Sequence, residues 1–336
     1  MAYRYQAIKI GGPFEKVLVD RPVPKLGEVL IRLHAIGLNP IDWKQLSIGI
    51  AVESWPATFG CEGAGTVEDV GPGVQGFKKG DEVFSRLDPQ IPESAAFQEL
   101  AIIGATSVTH KPKSLSFEEA ASLTVGYRTA ASAIYHALEI PLPFLKQGRT
   151  EGFTPKSILV LGGSSSVGAA AIQLLRIALP NAIILTTSSP QHHEHLKSLG
   201  ANKAFDYHSP DVVQQIKAAT PNGAGVEALI DPVASVLINS ALLGTLTGPK
   251  SFAEVITGRT VQNIPADVKH ILVVGRNVMS CPGGENLSMA LGELLESGRY
   301  NVPLPVTVVG EGLEAIEGGL ATLKSGVSGT KLVVRL

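Results

Sequence analysis

The chain has little cysteine and no long uninterrupted apolar stretch. Cys61 and Cys281 are the only two cysteines among 336 residues, which argues against a disulfide framework and predicts a reducing compartment. No apolar run approaches the ~18 residues of a membrane span. The N-terminal residues, MAYRYQAIKI, also lack the apolar core of a signal peptide. From these absences we expect a cytoplasmic protein that does not enter a membrane.

Strong or clustered charge is missing as well. The formal net charge is −2, and no stretch forms a clustered basic patch, so neither nucleic acid nor an anionic membrane surface is an expected partner. No internal repeat or low-complexity segment stands out. The length fits about two domains, and a hydrophobic content of 44% is typical of a globular enzyme.

The most informative stretch that is present is SILVLGGSSSVGAAAIQLLR, residues 157–176. Its apolar start predicts a buried strand, its two glycines a tight turn, and the spacing of its later apolar residues a helix. Aligned on the last glycine, the turn has the pattern Gly163-x-Ser165-x-x-Gly168, a dinucleotide fingerprint whose second glycine is serine. Such a turn presents helix N–H groups to a pyrophosphate, although the same pattern also occurs in ordinary strand–helix turns.

The chain before this stretch is predicted to be mostly β. Residues 4–10 and 29–35 resemble strands between Pro and Gly punctuation, and residues 59–85 resemble two strands joined by a Gly/Pro turn. Between them, GLNPIDWKQL (residues 37–46) is predicted to be a loop leading into a short helix. From residue 117 to 138 the pattern is helical, with Ser116 as N-cap, and a Pro-rich surface loop follows.

After residue 176 the predicted strands and helices alternate. The expected strands are 182–187, 203–206, 227–230 and 271–275, with helices ending near 199 and at 211–219 and 234–243. This alternation predicts a parallel, doubly wound sheet with right-handed crossovers. The last residues are predicted to form an amphipathic helix and a terminal strand that rejoin the first domain.

Taken together, these segments resemble the medium-chain dehydrogenase/reductase superfamily over nearly the whole chain. The resemblance implies an α/β protein, in which residues 125–280 form a Rossmann dinucleotide-binding domain and residues 1–124 with 281–336 form a GroES-like β-rich catalytic domain. The GLNPIDWK loop, the VGPGV-x-x-F-x-x-GD stretch and the Pro-rich insertion are most similar to the zinc-free branch. That branch includes quinone oxidoreductases and the fungal trans-acting enoyl reductases of polyketide synthases.

The resemblance also argues against a catalytic zinc ion, which needs three protein ligands and an open position. In zinc members of the superfamily these ligands are Cys, His and Cys. Here the first loop has no cysteine, the histidine is replaced by Cys61 in Gly60-Cys61-Glu62, and the place of the second cysteine is Val125. We therefore expect no metal, and we interpret Cys61 as a buried thiol, the alternative being a surviving ligand.

The expected cofactor is NADPH. NAD-specific enzymes place an acid near the ribose 2′-hydroxyl about twenty residues after the fingerprint, whereas this chain has Thr186-Thr187-Ser188-Ser189 there. By resemblance, Tyr207 matches a tyrosine that contacts the 2′-phosphate, and His192 stands where a lysine does so. A solvated helix face is the alternative for the nearby histidines. The predicted cofactor-binding residues are Gly163, Ser164, Ser165, Ser166, Val167, Gly168, Ser188, Ser189, His192 and Tyr207.

The predicted catalytic residues are Lys44, Thr129 and Asn39. Thr129 matches a family threonine near the nicotinamide, and Lys44 matches a substrate-facing lysine of the enoyl reductases, where it could stabilise a developing enolate. A solvated lysine is the alternative for Lys44. Asn39 belongs to the same loop, as does Asp42, which is expected to be a structural hydrogen-bonding group. No general acid is evident, and water could supply the proton.

Three functions remain open at this point. They are an NADPH-dependent enoyl or alkene reductase, a quinone oxidoreductase, and a non-catalytic cofactor-binding protein. The Pro-rich insertion and the GLNPIDWK loop favour the first. The expected partners are then a small-molecule or carrier-bound unsaturated substrate and a polyketide synthase, with a monomer favoured over a homodimer.

Overall fold

A computed structural model describes all residues from 1 to 336. They form two compact units, one of Met1–Val125 with Leu291–Leu336 and one of Gly126–Ala290. Residues 281–290 thus lie in the second unit, and not in the β-rich domain where the sequence placed them. Hydrogen bonds within the second unit hold this segment, because Tyr135 OH donates to the Pro282 carbonyl at 2.8 Å and Asn286 Nδ2 donates to the Lys146 carbonyl at 2.9 Å.

Sixteen strands follow each other along the chain. Their bounds are β1 (Ala2–Ala7), β2 (Phe14–Val19), β3 (Glu28–Gly37), β4 (Ala57–Thr58), β5 (Glu62–Val70), β6 (Glu82–Arg86), β7 (Leu100–Gly104), β8 (Val108–His110), β9 (Ser157–Val160), β10 (Ile183–Ser188), β11 (Lys203–Asp206), β12 (Val226–Asp231), β13 (Leu246–Val255), β14 (Lys269–Val273), β15 (Val306–Glu311) and β16 (Lys331–Arg335).

Nine α-helices accompany the strands. They are α1 (Pro40–Ile48), α2 (Phe117–Ala120), α3 (Thr124–Ala131), α4 (Ser166–Ala178), α5 (His193–Ser198), α6 (Val212–Ala218), α7 (Ser235–Ile238), α8 (Leu287–Glu296) and α9 (Ala315–Ser325). A π-helical turn, Ser132–Ala137, continues α3. None of these helices combines the length and the apolar character that a transmembrane segment needs.

The first unit is built on two sheets. One has three strands in the order β2-β1-β4, and the other has seven, with the path β15-β16-β3-β5-β6-β8 and β7 paired to β3. The terminal strand β16 runs antiparallel to β3, so the end of the chain rejoins the first domain as predicted. Side chains from these strands and from α9 form its core, among them Ile31, Leu33, Val67, Val83, Ile316 and Leu320.

The second unit contains a six-stranded parallel sheet in the order β11-β10-β9-β12-β13-β14. Numbered within the unit, this order is 3-2-1-4-5-6, the arrangement of a doubly wound dinucleotide-binding fold. The order of the strands reverses between the neighbouring strands β9 and β12: β9 to β11 extend to one side and β12 to β14 to the other. Ligands of such sheets bind beyond the carboxyl ends of the strands at this switch point, which is where the glycine turn after β9 lies.

The predicted single helix over residues 117–138 is interrupted. Ser116 caps α2 as expected, accepting a hydrogen bond from Glu119 N at 3.1 Å, but α2 ends at Ala120. A new helix begins at Thr124 because the Val125 N–H donates to Glu62 Oε2 at 2.8 Å. In an uninterrupted helix it would have bonded a carbonyl four residues earlier.

Two other elements differ from the prediction. The helix expected over 234–243 is divided into the four residues of α7 and a 3₁₀ helix, Ser240–Thr245, because Asn239 leaves the helical conformation between them and its side chain accepts a hydrogen bond from Ala241 N. Strand β13 was not predicted from the sequence, because Gly248 and Pro249 interrupt its apolar pattern. Gly248 has φ of +58°, and the pairing of β12 with β13 shifts its register at this place.

Candidate functional site

The three glycines of the turn after β9 and the start of α4 stand where a Cβ atom would not fit. Gly162 has φ of +59°, a conformation that glycine adopts without strain. A Cβ atom on Gly163 would lie 2.1 Å from Thr186 Oγ1, and one on Gly168 would lie 2.4 Å from the Gly162 carbonyl oxygen. The predicted fingerprint therefore has the close backbone packing that lets a diphosphate approach the chain.

Ser165 explains how serine replaces the second glycine of the fingerprint. It is the N-cap of α4, and its Oγ accepts a hydrogen bond from Gly168 N at 3.0 Å. Ser164, Ser166 and Val167 are half-buried beside it. The first N–H groups of this 13-residue helix have no partner within the helix, and the positive end of its dipole favours an anion. These residues fit the pyrophosphate of a dinucleotide.

The end of β10 is tied to the glycine turn. Gly162 N donates to Thr187 Oγ1 at 3.1 Å and Gly163 N donates to the Thr187 carbonyl at 2.8 Å. Thr186 Oγ1 donates to the Val160 carbonyl at 2.7 Å. The Thr187 hydroxyl thus bonds to the turn and the Thr186 hydroxyl to strand β9, and both threonines help to hold the turn against the sheet.

The predicted 2′-phosphate residues lie at the carboxyl ends of β10 and β11. Ser188 is buried and its hydroxyl donates to the Ser189 carbonyl at 3.1 Å, while Ser189 and His192 are half-buried. Ser188 stands opposite Asp206 in the parallel register. The exposed Tyr207 ring packs against the His208 ring at a tilt of 34°, with the ring centroids 4.0 Å apart. Their contact with a cofactor stays a prediction.

The carboxylate of Asp206, at the end of β11, also lies at this edge and was not among the predicted site residues. Asp206 accepts hydrogen bonds from His208 N at 3.0 Å and from His208 Nδ1 at 3.1 Å. The backbone bond from His208 is the main reason why the pKa of Asp206 is lowered. The ionised carboxylate is thereby held by its neighbour two residues later.

Thr129 lies on α3 and is nine-tenths buried. Its Oγ1 is 2.8 Å from the place that a Cβ atom on Gly275 would occupy, and Gly275 follows β14 by two residues. Ser132 Oγ donates to the Gly275 carbonyl at 2.9 Å and accepts from Val278 N at 3.1 Å. The threonine therefore lies near the carboxyl end of a sheet strand, the edge where this fold binds its ligands.

The helix that carries Lys44 is capped at its start by the side chain of Asp42. Asn39 is the N-cap of α1, and its N–H donates to Asp42 Oδ2 at 2.8 Å. Lys44 is half-buried, with its ammonium 5.4 Å from the centre of the Trp43 ring. Burial lowers the pKa of Lys44, which means that its charge is partly desolvated, unlike that of a fully solvated surface lysine.

Asn39 belongs to a buried polar network in the first unit. Its Nδ2 donates to the Gly37 carbonyl at 3.2 Å and to Glu62 Oε1 at 3.0 Å, and its Oδ1 accepts from Lys331 Nζ at 2.7 Å. Asn39 is 3% exposed, and its side-chain polar atoms bond to protein groups. These bonds give Asn39 a place in the local structure, and its catalytic role stays a prediction.

Sequence reasoning missed Glu62 and Lys331 as members of this network. Lys331 Nζ lies 2.6 Å from Glu62 Oε1, and both side chains are almost fully buried. The available signals were the acid after Gly60-Cys61 and a lysine that starts the apolar strand KLVV. Nothing in the local sequence shows that these two residues, 269 positions apart, form a pair.

Asp42 and Cys61 are also buried beside each other. Burial raises the pKa of Asp42 to about 7, an effect that the hydrogen bond from Asn39 N partly offsets. Burial likewise raises the pKa of the Cys61 thiol. Cys61 is 2% exposed, which agrees with its interpretation as a buried thiol.

This donor set does not fit a catalytic zinc ion. Zinc binds thiolate, whereas burial favours the neutral thiol of Cys61. Both oxygens of Glu62 accept hydrogen bonds from protein donors, and Val125 offers only its backbone N–H. No group of three His, Cys, Asp or Glu side chains is close enough to hold a metal ion.

Comparison with known proteins gives matches over both units. Residues 25–112 match the family profile "Alcohol dehydrogenase GroES-like domain". Residues 166–296 match "Zinc-binding dehydrogenase". Dehydrogenase orsE of Emericella nidulans is 31% identical, with 94% of each chain covered. Trans-enoyl reductase himH of Aspergillus japonicus is 30% identical over 92% of this chain and 90% of its own.

A solved structure with the same fold is Escherichia coli quinone oxidoreductase, described as complexed with NADPH. It superposes with a TM-score of 0.78 at 22% identity, covering 100% of both chains. The sequence relatives confirm the resemblance found in the motifs, and the structural match confirms the GroES-like and Rossmann architecture. The chain therefore belongs to the medium-chain dehydrogenase/reductase superfamily of oxidoreductases, in the company of fungal dehydrogenases and trans-enoyl reductases.

Proposed function

We propose that this protein is an NADPH-dependent, zinc-independent reductase that transfers hydride to the activated C=C bond of an enoyl or other α,β-unsaturated carbonyl compound. The observation that carries the reaction class is the alignment, over 92% of the chain, with a relative named trans-enoyl reductase. An already polarised C=C bond needs no Lewis acid, which agrees with a donor set unsuited to zinc.

NADPH is the proposed cofactor because the end of β10 carries hydroxyl groups and no carboxylate. Gly163, Gly168 and the first turn of α4 would hold the pyrophosphate. Ser188, Ser189, His192 and Tyr207 would face the 2′-phosphate, where hydroxyls can donate hydrogen bonds. The bound nicotinamide would supply the hydride. The structural match described with NADPH supports the cofactor class through its fold alone.

Lys44 is the proposed stabiliser of substrate charge. Hydride addition to the β-carbon places negative charge on the carbonyl oxygen, and a lysine ammonium can donate a hydrogen bond to it. The partial desolvation of Lys44 strengthens such an interaction, since charges attract more in a less polar surrounding. Thr129 would position the nicotinamide, and water would protonate the α-carbon.

The substrate class and the partner are part of the same proposal. An acyl chain bound to a carrier, or its free analogue, would be reduced, and a polyketide synthase would supply it in secondary-metabolite biosynthesis. A reductase that docks transiently on such a synthase is expected to be monomeric.

The test is a screen of NADPH oxidation by the purified protein. An enoyl thioester of N-acetylcysteamine and 1,4-benzoquinone are offered separately, and size-exclusion chromatography gives the oligomeric state. Turnover of the enoyl thioester supports the proposal. Turnover of benzoquinone alone identifies a quinone oxidoreductase, and NADPH binding without turnover of either acceptor identifies a non-catalytic cofactor-binding protein.

A further inference from the structure

The Glu62 carboxylate is the centre of the buried network in the first unit. It is fully buried and accepts four hydrogen bonds, two on each oxygen. Oε1 accepts from Asn39 Nδ2 at 3.0 Å and Lys331 Nζ at 2.6 Å. Oε2 accepts from Thr124 Oγ1 at 2.9 Å and Val125 N at 2.8 Å. Every polar position of the carboxylate is thus used inside the protein.

The four donors belong to three separate segments of the chain. Asn39 is the N-cap of α1, which carries Lys44 five residues later. Thr124 and Val125 begin α3, which carries Thr129 one turn after Val125. Lys331 is the first residue of β16. Glu62 therefore holds the starting points of both helices that bear the predicted catalytic side chains.

The network is also closely packed and electrostatically balanced. A Cβ atom on Gly37 would lie 2.8 Å from Glu62 Oε1. Burial alone would raise the pKa of Glu62, but the Lys331 ammonium and the hydrogen bonds hold it below its usual value. The carboxylate is therefore ionised, as an acceptor of four donors must be.

We propose that Glu62 is a positioning residue for the reaction, with Lys331 as its counter-ion, and that it sets Lys44 and Thr129 through the ends of α1 and α3. This inference rests on the proposed function. A displacement of reacting groups by about 1 Å can lower the rate by about 100-fold, even when the substituted residue lies far from the chemistry. A residue that holds two helix ends can therefore control the rate without touching the substrate.

Glutamine cannot replace Glu62 without loss. A glutamine amide has one oxygen that accepts hydrogen bonds, whereas both Oε1 and Oε2 of Glu62 accept them. Repulsion between the amide NH₂ group and the Lys331 ammonium turns the NH₂ group toward Thr124 and Val125. The Thr124 hydroxyl can rotate to accept, but the Val125 N–H loses its partner. Glu62→Gln is therefore expected to loosen the start of α3 and to leave the Asn39 contact in place.

The experiment compares the full-length wild type with Glu62→Gln and with the double variant Glu62→Gln/Lys331→Met. The double variant removes both charges, so that no unpaired ion stays buried if the single variant folds poorly. The matched control is Glu118→Gln. Glu118 Oε1 accepts from Arg335 Nε at 2.7 Å and so joins α2 to the same strand β16, but this pair is partly exposed.

Three measurements are made on each variant. They are the NADPH dissociation constant by fluorescence, the single-turnover rate of hydride transfer to the enoyl thioester of N-acetylcysteamine per NADPH site, and the hydrogen exchange of α1 and α3. For Glu62→Gln we expect a rate about 100-fold lower, a dissociation constant within twofold of the wild type, and faster exchange at the start of α3. The double variant should also exchange faster in α1. Glu118→Gln should match the wild type in all three.

The proposal is overturned if a folded Glu62 variant keeps at least half of the wild-type single-turnover rate. It is also overturned if the variant merely binds NADPH at fewer sites, because a structural defect lowers the active fraction and not the rate per site. Unchanged exchange in α3 would refute it without any activity measurement. A wild type that does not oxidise NADPH with the enoyl thioester as acceptor would instead refute the proposed function.

Discussion

Replacing Asp42 by asparagine is predicted to remove a pH-dependent loss of stability. Asp42 is fully buried on α1, and its Oδ1 has no hydrogen-bond partner; neither has the buried Oε1 of Gln45, three residues later on the same helix. Burial raises the pKa of Asp42 from 3.8 to about 7. Buried acceptors without donors are unfavourable, and this favours the protonated acid, which can itself donate a hydrogen bond.

The sign and size of the effect follow from the two pKa values. Between pH 3.8 and about 7 the folded chain holds a proton on Asp42 that the unfolded chain has lost. Stability from this group is therefore complete below pH 3.8 and is lost as the pH rises through about 7. The interval of about 3.2 pH units corresponds to about 4 kcal/mol of unfolding free energy, at 1.36 kcal/mol per unit.

The assay is urea unfolding of the wild type and Asp42→Asn at several pH values from 4 to 8.5. Asparagine keeps the acceptor for Asn39 N and carries a permanent donor. The variant should therefore gain on the wild type by up to about 4 kcal/mol between the two ends of this range. Asp20→Asn, at an exposed position, is the control. A stability difference that stays constant within about 1 kcal/mol across the range would show that Asp42 is ionised at neutral pH and would refute the reasoning.

Four further predictions concern the cofactor, the substrate and the metal. Wild type should bind NADPH at least about tenfold more tightly than NADH, a difference of about 1.4 kcal/mol, and Ser189→Asp should erase or invert this preference in a fluorescence titration; equal wild-type affinities would contradict it. Lys44→Ala should lower kcat on an activated enone by about ten- to a thousand-fold with nearly unchanged NADPH affinity, and full retained activity would favour a merely structural lysine. Thr129→Val should slow hydride transfer from deuterated NADPH while the cofactor still binds, and an unchanged rate would remove Thr129 from the reaction. Elemental analysis should find no stoichiometric zinc, and a content of about one zinc ion per chain would contradict this prediction.

Features encoded within a few residues could be predicted from the sequence. The glycine turn, the Ser116 cap and the alternation of strands and helices after residue 176 depend on neighbours along the chain, and the structure contains all three. The short range of these signals is also their limit. Nothing near residue 120 shows that a carboxylate from Glu62 takes the N–H of Val125 and starts a new helix there.

The buried polar network escaped prediction for the same physical reason. Glu62 and Lys331 are 269 positions apart, and each alone resembles an ordinary charged residue beside a strand. Only folding shows that both are desolvated and paired. The Thr-Thr-Ser-Ser run is a milder case, because its composition excluded a carboxylate but did not reveal that Thr186 and Thr187 bond to the sheet and the turn.

The most direct test of the proposed reaction follows the hydride itself. The protein is incubated with NADPH carrying deuterium at the transferable C4 position and with the crotonyl thioester of N-acetylcysteamine, and the product is analysed by mass spectrometry and NMR. The account predicts a saturated butyryl thioester with one deuterium on its β-carbon and one solvent proton on its α-carbon. Unreduced thioester, recovered while benzoquinone oxidises the same cofactor, would contradict it.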